Sequence, residues 1–290
     1  MLCCPKPLSL LATSRAITYV FALAITFVYA GNISHNATFI SLIATLKHCE
    51  KFYILESATL LHGYNFNSAT YYTDAVTGQA VYFENDYVTG QSAWRGYPKN
   101  GAYVQYGQIN FATVSDQTSS GRNPHLSLPA GMFDASAGSI SIEAWYSAGA
   151  VNTYNNRIFQ FGPYDHQYDS WAVCRNMNNG LMQLQYVSSP NGWYFSNWTS
   201  SVYFNSALRY HVVMTISTSD IARLYVNGNL FVTNFNMRIP TPNVFFVGGT
   251  WGGSPQDSLV GSVDEFRIWS GALSASQVAA NYAAGPGNSH

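Results

Sequence analysis

Charge is what this chain has least of. Only 9% of its 290 residues are Asp, Glu, Lys or Arg, and the formal net charge is -1, whereas soluble domains usually carry about 25% charged residues. A chain this close to neutral has no basic surface with which to neutralise phosphates, which argues against a nucleic-acid partner. Cysteine is scarce as well: there are four, with no C-x-x-C and no Cys/His cluster, so the spacing that holds zinc is missing. The G-x-S-x-G elbow is absent, and His62, His125, His166 and His211 stand in no catalytic motif. No internal repeat is present, and no Pro, Gly or Ser-rich linker divides the stretch from Thr59 to Ala284. One domain is the organisation these absences leave.

What the chain has instead is aromatic side chains, 16% of the total, with Asn, Ser, Thr, Gln and Gly to keep it soluble. At the N-terminus Lys6 and Arg15 precede an apolar run from Ala16 to Ala30 that ends Val28-Tyr29-Ala30 before Gly31. The run is shorter than the roughly 20 residues that span a bilayer. We therefore read residues 1–30 as a cleaved signal peptide, with an uncleaved anchor as the alternative, and expect no stable membrane span after its removal. Residues 31–57 form a poorly defined extension. Asn32, Asn36 and Asn197 lie in N-x-S/T triplets, as in a glycoprotein, which agrees with a secreted or extracellular-surface location. With the signal gone, Cys49 and Cys174 remain. They either form one disulfide or leave Cys174, in the apolar Trp171-Ala-Val-Cys174, as a buried thiol.

From Thr59 onward short alternating runs are separated by Gly, Asn, Asp and Pro, the pattern of an all-β sandwich. Ile140, Ile142 and Ala144 share one strand face, and Ser141, Glu143 and Trp145 the other. Tyr210, Val212, Met214 and Ile216 make an apolar face, and so do Ala222, Leu224 and Val226. Asn227-Gly228 predicts a two-residue hairpin, because a type I′ turn needs positive φ at both positions. Tyr103 to Tyr106 reads as a sheet edge. In Leu181 to Val187 both parities carry apolar residues, so its facing stays open. After the strand Val263 to Trp269, Ser274 and Gln277 make a capping box, Leu273 and Val278 a hydrophobic staple, and Gly285-Pro286 a stop, which specifies a short C-terminal helix.

The closing run G-S-V-D-E-F-R-I-W (Gly261 to Trp269) with A-L-S-A-S-Q-V-A-A-N-Y (Ala272 to Tyr282) resembles the end of laminin-G-like domains. The likeness extends upstream through Arg223-Leu-Tyr-Val-Asn-Gly228, Tyr210 to Ile216, Arg157 to Gly162, Ile140 to Trp145 and Leu60 to Phe66. It implies the concanavalin A-like lectin/glucanase superfamily and a two-sheet antiparallel jelly-roll sandwich over residues 58–286.

The resemblance also frames the chemistry. Glucan-cleaving enzymes of that superfamily carry paired carboxylates on one strand, as glycoside hydrolysis requires. This chain has no E-x-D-x-E run, Glu143 stands alone, and Asp264 and Glu265, as strand neighbours, are expected on opposite faces. By parity Asp264 falls with Phe266 and Ile268 on the inward face, where a carboxylate needs a partner. Laminin-G-like relatives often bind calcium, which makes Asp264 the expected metal ligand, with Asp134 and Asp257 as weaker candidates; a carboxylate accepting backbone N–H bonds is the alternative. Trp193, Tyr194 and Trp198, beside Asn191, Gly192, Ser196 and Asn197, give the densest aromatic segment, and Trp251 lies in a glycine-rich loop. Aromatic faces beside amides and hydroxyls suit a pyranose ring; packing rings or a protein-contact patch are the alternatives. The expected function is a secreted, non-catalytic recognition module for glycans or extracellular glycoproteins, with a structural or adhesive protein and a glycan-cleaving enzyme as alternatives.

Overall fold

A computed structural model describes residues 58–287, apart from 68–69, 74, 76–77, 112–123, 150–154, 164–169, 177–181, 188–194, 199–207, 235–238 and 250–258. The expected signal and extension, with Asn32, Asn36 and Cys49, lie outside the described residues, as do Trp193, Tyr194, Trp251 and Asp257. Among the described residues no helix is long and apolar enough to cross a membrane.

Two antiparallel sheets are present. The first runs in the order β15 (Asn229–Asn234), β14 (Ala222–Val226), β13 (Arg209–Ile216), β8 (Ile140–Ala148), β17 (Gly261–Ser270), β6 (Gln108–Phe111), β5 (Tyr103–Gln105), with β1 (Thr59–Tyr64) paired to β17 as the eighth strand. The second runs β12 (Phe195–Trp198), β11 (Met182–Val187), β10 (Ser170–Asn176), β9 (Asn155–Gly162), β16 (Val244–Val247), β7 (His125–Leu128), β4 (Tyr97–Lys99). A small hairpin, β2 (Thr70–Thr73) with β3 (Ala80–Phe83), stands apart from both.

The sheets share one core because their alternations meet. Ile142, Ala144, Val212, Met214, Leu224 and Phe266 from the first pack with Phe159, Phe161, Val173, Leu184 and Phe245 from the second. Phe266 sits edge-on to Phe159 and Phe245, with ring centroids 5.8 and 5.5 Å away. In β11, Met182 and Leu184 enter the core and so turn Gln183 and Gln185 outward, which settles the facing that sequence parity left open.

Local signals hold where they were strong. Asn227 and Gly228 take φ of 48° and 79° and join β14 to β15, as a type I′ turn requires. The helix α1 (Ala275–Ala284) begins at Ser274, whose Oγ accepts the Gln277 N–H while Gln277 Oε1 accepts the Ser274 N–H. Leu273 and Val278 pack on Val213, Tyr225 and Trp269, on the outside of the eight-stranded sheet.

β17 holds the first sheet together. One edge pairs along β8; the other pairs with β6 through Gly261 to Val263 and with β1 through Phe266 to Ser270. At the changeover the register slips, Val263 facing Tyr146 and Glu265 facing Trp145, so Asp264 is an extra, bulged residue.

Candidate functional site

The outer face of the eight-stranded sheet carries a buried polar network. Glu143 lies at its centre: Oε1 is 2.7 Å from His211 Nε2, and Oε2 accepts from Trp269 Nε1 at 2.9 Å. Asn281 Nδ2 of α1 donates to both oxygens at 3.1 and 3.2 Å. Arg267 reaches Glu143 at 3.6 Å, donates to Glu265 at 2.7 Å and lies over the Trp145 ring, 4.6 Å from its centroid. Burial opposes the Arg267 charge, but Glu143 and Glu265 outweigh it and hold its pKa above the ordinary guanidinium value. Glu265 also accepts from Tyr87 Oη at 2.7 Å and from the Gly287 N–H. Both carboxylates are closed in by donors and by α1. Their arrangement locks the C-terminal segment to the sheet and leaves neither one free to meet a substrate.

The bulge overturns two expectations for Asp264. Arg209 lies on the face opposite core residue Tyr210, and the Asp264 carboxylate pairs with the Arg209 guanidinium. Asp264 is therefore outside the sandwich, on the same side as Glu265, and neither inward nor opposite its neighbour. Parity failed because one extra residue in a strand resets the alternation. Burial raises the Asp264 pKa, with Arg209 opposing and Glu265 adding to the rise. A cation here would have to displace Arg209, and among the described residues no group of three His, Cys, Asp or Glu is arranged to hold a metal. Asp134 serves locally, accepting from Ser136 N–H and Oγ at 2.8 and 2.7 Å.

Two further carboxylates are buried near β1 and β3. Asp86 accepts from Gly63 N–H, Val88 N–H and Thr89 Oγ1 and is 2.7 Å from His62 Nδ1. Burial pushes its pKa up, but these bonds more than offset that and bring it below the usual value. Glu84 has no such support. Its Oε1 is buried without a hydrogen bond, and burial pushes its pKa from 4.5 up to about 8. Because the folded value lies above the unfolded one, Glu84 lowers stability progressively as pH rises from about 4.5 to about 8. Glu84→Gln should therefore gain roughly 2 kcal/mol over wild type at pH 8 and nothing at pH 4. Urea denaturation at both pH values reads this, and equal gains at the two would refute the assignment.

The outer face of the seven-stranded sheet is chemically different. None of its seven strands contains an Asp or Glu. Gln160 of β9, Gln183 and Gln185 of β11 and Arg157 of β9 lie there, all buried, and Arg157 Nη1 donates to Gln160 Oε1 at 2.6 Å. His125 packs edge-on to Phe246, with centroids 4.6 Å apart. Cys174 Sγ contacts Gln183 Oε1 at 3.4 Å. Gln183 Nε2 and Gln185 Oε1 make no hydrogen bond, although the two residues are only 1% and 3% exposed. Sequence reasoning passed over these glutamines, yet the alternation Met182-Gln-Leu-Gln185 was a signal for them.

Of the predicted aromatic segment, the strand that carries Trp198 lies beside this sheet's glutamines. β12 is the edge strand next to β11, with Trp198 paired to Gln183 and Phe195 to Gln185. Trp193 and Tyr194 precede β12 directly in sequence and lie outside the described residues, so the structure places only the Trp198 backbone and the strand of Asn197. Asp264 is on the other sheet and does not join them.

Two antiparallel sheets packed over one core define the class of protein, a β-sandwich. The chain belongs to the concanavalin A-like lectin/glucanases superfamily, whose laminin-G family profile matches residues 120–279. No curated protein sequence matches it. Solved structures share the fold. Domain 4 of AbnA, a GH43 extracellular arabinanase from Geobacillus stearothermophilus, in complex with arabinotriose, is 18% identical with TM-score 0.50, over 77% of this chain and 98% of that one. Trypanosoma rangeli sialidase is 15% identical with TM-score 0.55, over 77% of this chain and 32% of the sialidase. The binding domain of Paraclostridial Mosquitocidal Protein 1 is 14% identical with TM-score 0.53, over 77% of this chain and 51% of that one. The chain thus spans about a third of the sialidase and half of the toxin chain.

Proposed function

We propose that this chain is a secreted, non-catalytic module that recognises carbohydrate, at the margin where β12 meets the amide face of the seven-stranded sheet. The observation that carries the reading is the shared sandwich fold, together with the edge strand β12, which carries Trp198 and borders strands that hold no acidic residue. β12 runs Phe195-Ser196-Asn197-Trp198 in sequence, and aromatic, hydroxyl and amide residues together suit a pyranose ring and its hydroxyls. A two-carboxylate hydrolysis has no acid and no nucleophile on those strands, which favours recognition over cleavage. The structural or adhesive alternative draws less support. At one edge of each sheet, β4 and β5 are three residues each, and β4 carries Pro98 and Lys99, features that blunt pairing at those two edges. The fold neighbour in complex with arabinotriose agrees with recognition.

The test is a glycan array with the secreted chain, run in calcium and in chelator, because the family resemblance implies the metal. Trp193→Ala and Trp198→Ala are each expected to weaken saturable binding about tenfold. Gln185→Leu should leave thermal stability unchanged or raised, since it removes a buried acceptor that has no donor. Binding unaltered in both tryptophan variants would sink this reading.

A further inference from the structure

A different part of the fold displays aromatic rings without burying them. β5 and β6 form the hairpin at the edge of the eight-stranded sheet, and Tyr106-Gly107 is its two-residue turn, with φ of 57° and 74°. Among the described residues two other Gly-terminated turns of this kind occur, and both place Asn first: Asn100-Gly101, with φ of 53° and 87°, and Asn227-Gly228. Asn tolerates the left-handed region; a bulky ring there is an outlier. Yet Tyr106 is 87% exposed, so no packing of the ring offsets the strain. Strain of this sort, kept without a structural return, is a pointer to use.

The turn is also braced. Asn110 Nδ2 donates to the carbonyls of Gln108 and Gln105, at 3.2 and 3.4 Å. The register sets Tyr103 opposite Asn110 and Gln105 opposite Gln108, so these four share the outward side, while Ile109 enters the core. Tyr103 is itself 47% exposed. From Tyr103 to Phe111 there is no charged residue. The result is a fixed strip of two phenol rings and three amides at zero charge.

We propose that this hairpin is a second, separate contact site for a neutral saccharide, with Tyr106 as the ring on which a sugar stacks. A pyranose presents an apolar C–H face to an aromatic ring and hydroxyls to neighbouring amides, and an uncharged strip favours an uncharged chain. The inference rests on the reading of the chain as a carbohydrate-recognition module, but it uses none of the same residues.

Native affinity electrophoresis of the full chain through gels containing linear arabinan, mannan or β-glucan tests it. Tyr106→Asn is the decisive variant because it suits the left-handed turn better than Tyr does. It should melt at or above the wild-type temperature while its affinity for the retarding polysaccharide falls about tenfold. Tyr106→Phe keeps the ring and should migrate close to wild type. If Tyr106→Asn is retarded as strongly as wild type, or wild type is retarded by none of the polysaccharides, the proposal is overturned. Loss confined to Trp198→Ala would uphold the β12 margin and refute this site; loss confined to Tyr106→Asn would do the reverse.

Discussion

Glu143→Ala is expected to destabilise the chain by about 4 kcal/mol, close to the largest loss any single side chain should give here. The carboxylate answers four donors: His211 Nε2, Trp269 Nε1, Asn281 Nδ2 and, at longer range, the Arg267 guanidinium. Trp269, His211 and Arg267 are buried, and none can turn to water when the acceptor goes. The loss is then the desolvation of stranded donors and of a half-compensated cation, which exceeds the net worth of the bonds themselves. Glu143→Gln retains an acceptor and should cost about half as much. Because Asn281 belongs to α1, the alanine variant should also loosen that helix, seen as faster amide exchange of Val278 and Asn281. Urea denaturation at unchanged slope measures the main effect. A loss under about 1 kcal/mol would show that the network closes on itself without Glu143.

Gly261→Ala is the second large effect, expected to cost about 3 kcal/mol or more. Gly261 opens β17 with φ of 148°, a conformation that L side chains rarely adopt. A Cβ there would lie 2.1 Å from the Ser147 carbonyl oxygen and 3.0 Å from Ala148 Cα, both backbone atoms of β8. Neither can rotate away, so relief means shifting the β17 to β8 register at Gly261 and Ala148. Gly261 also pairs with Phe111 of β6, so the strain is shared by two strand contacts. A thermal melt compared with Gly287→Ala, whose Cβ would meet nothing within 4 Å, separates the clash from the cost of positive φ, which both positions carry. Equal melting of the two variants would remove the close approach as the cause.

Much of this protein is determined by neighbours in sequence. The Asn227-Gly228 turn, the Ser274 and Gln277 capping box and the alternation in β8, β13 and β14 arise from contacts within a few residues, and each was legible for that reason. The closing segment of β17 and α1 even carried the family. The aromatic segment was legible only as composition; the register of β12 with β11, Trp198 opposite Gln183, was not.

Asp264 shows the limit. Its strand is plain in sequence, but the bulge arises where β17 passes from β6 to β1 on one edge while keeping β8 on the other, and no run of residues states which strands will be neighbours. The network of Glu143 draws on positions 211, 265, 267, 269 and 281, so it exists only once three strands and a helix have met. The amide face is a similar case, since Gln160 and Gln183 share a surface only through β10 between them. Sequence by itself decided the elements, the sandwich and the absence of a carboxylate run. Tertiary structure decided which polar groups are buried together, because burial is a property of the pairing and packing of distant strands and not of any one strand.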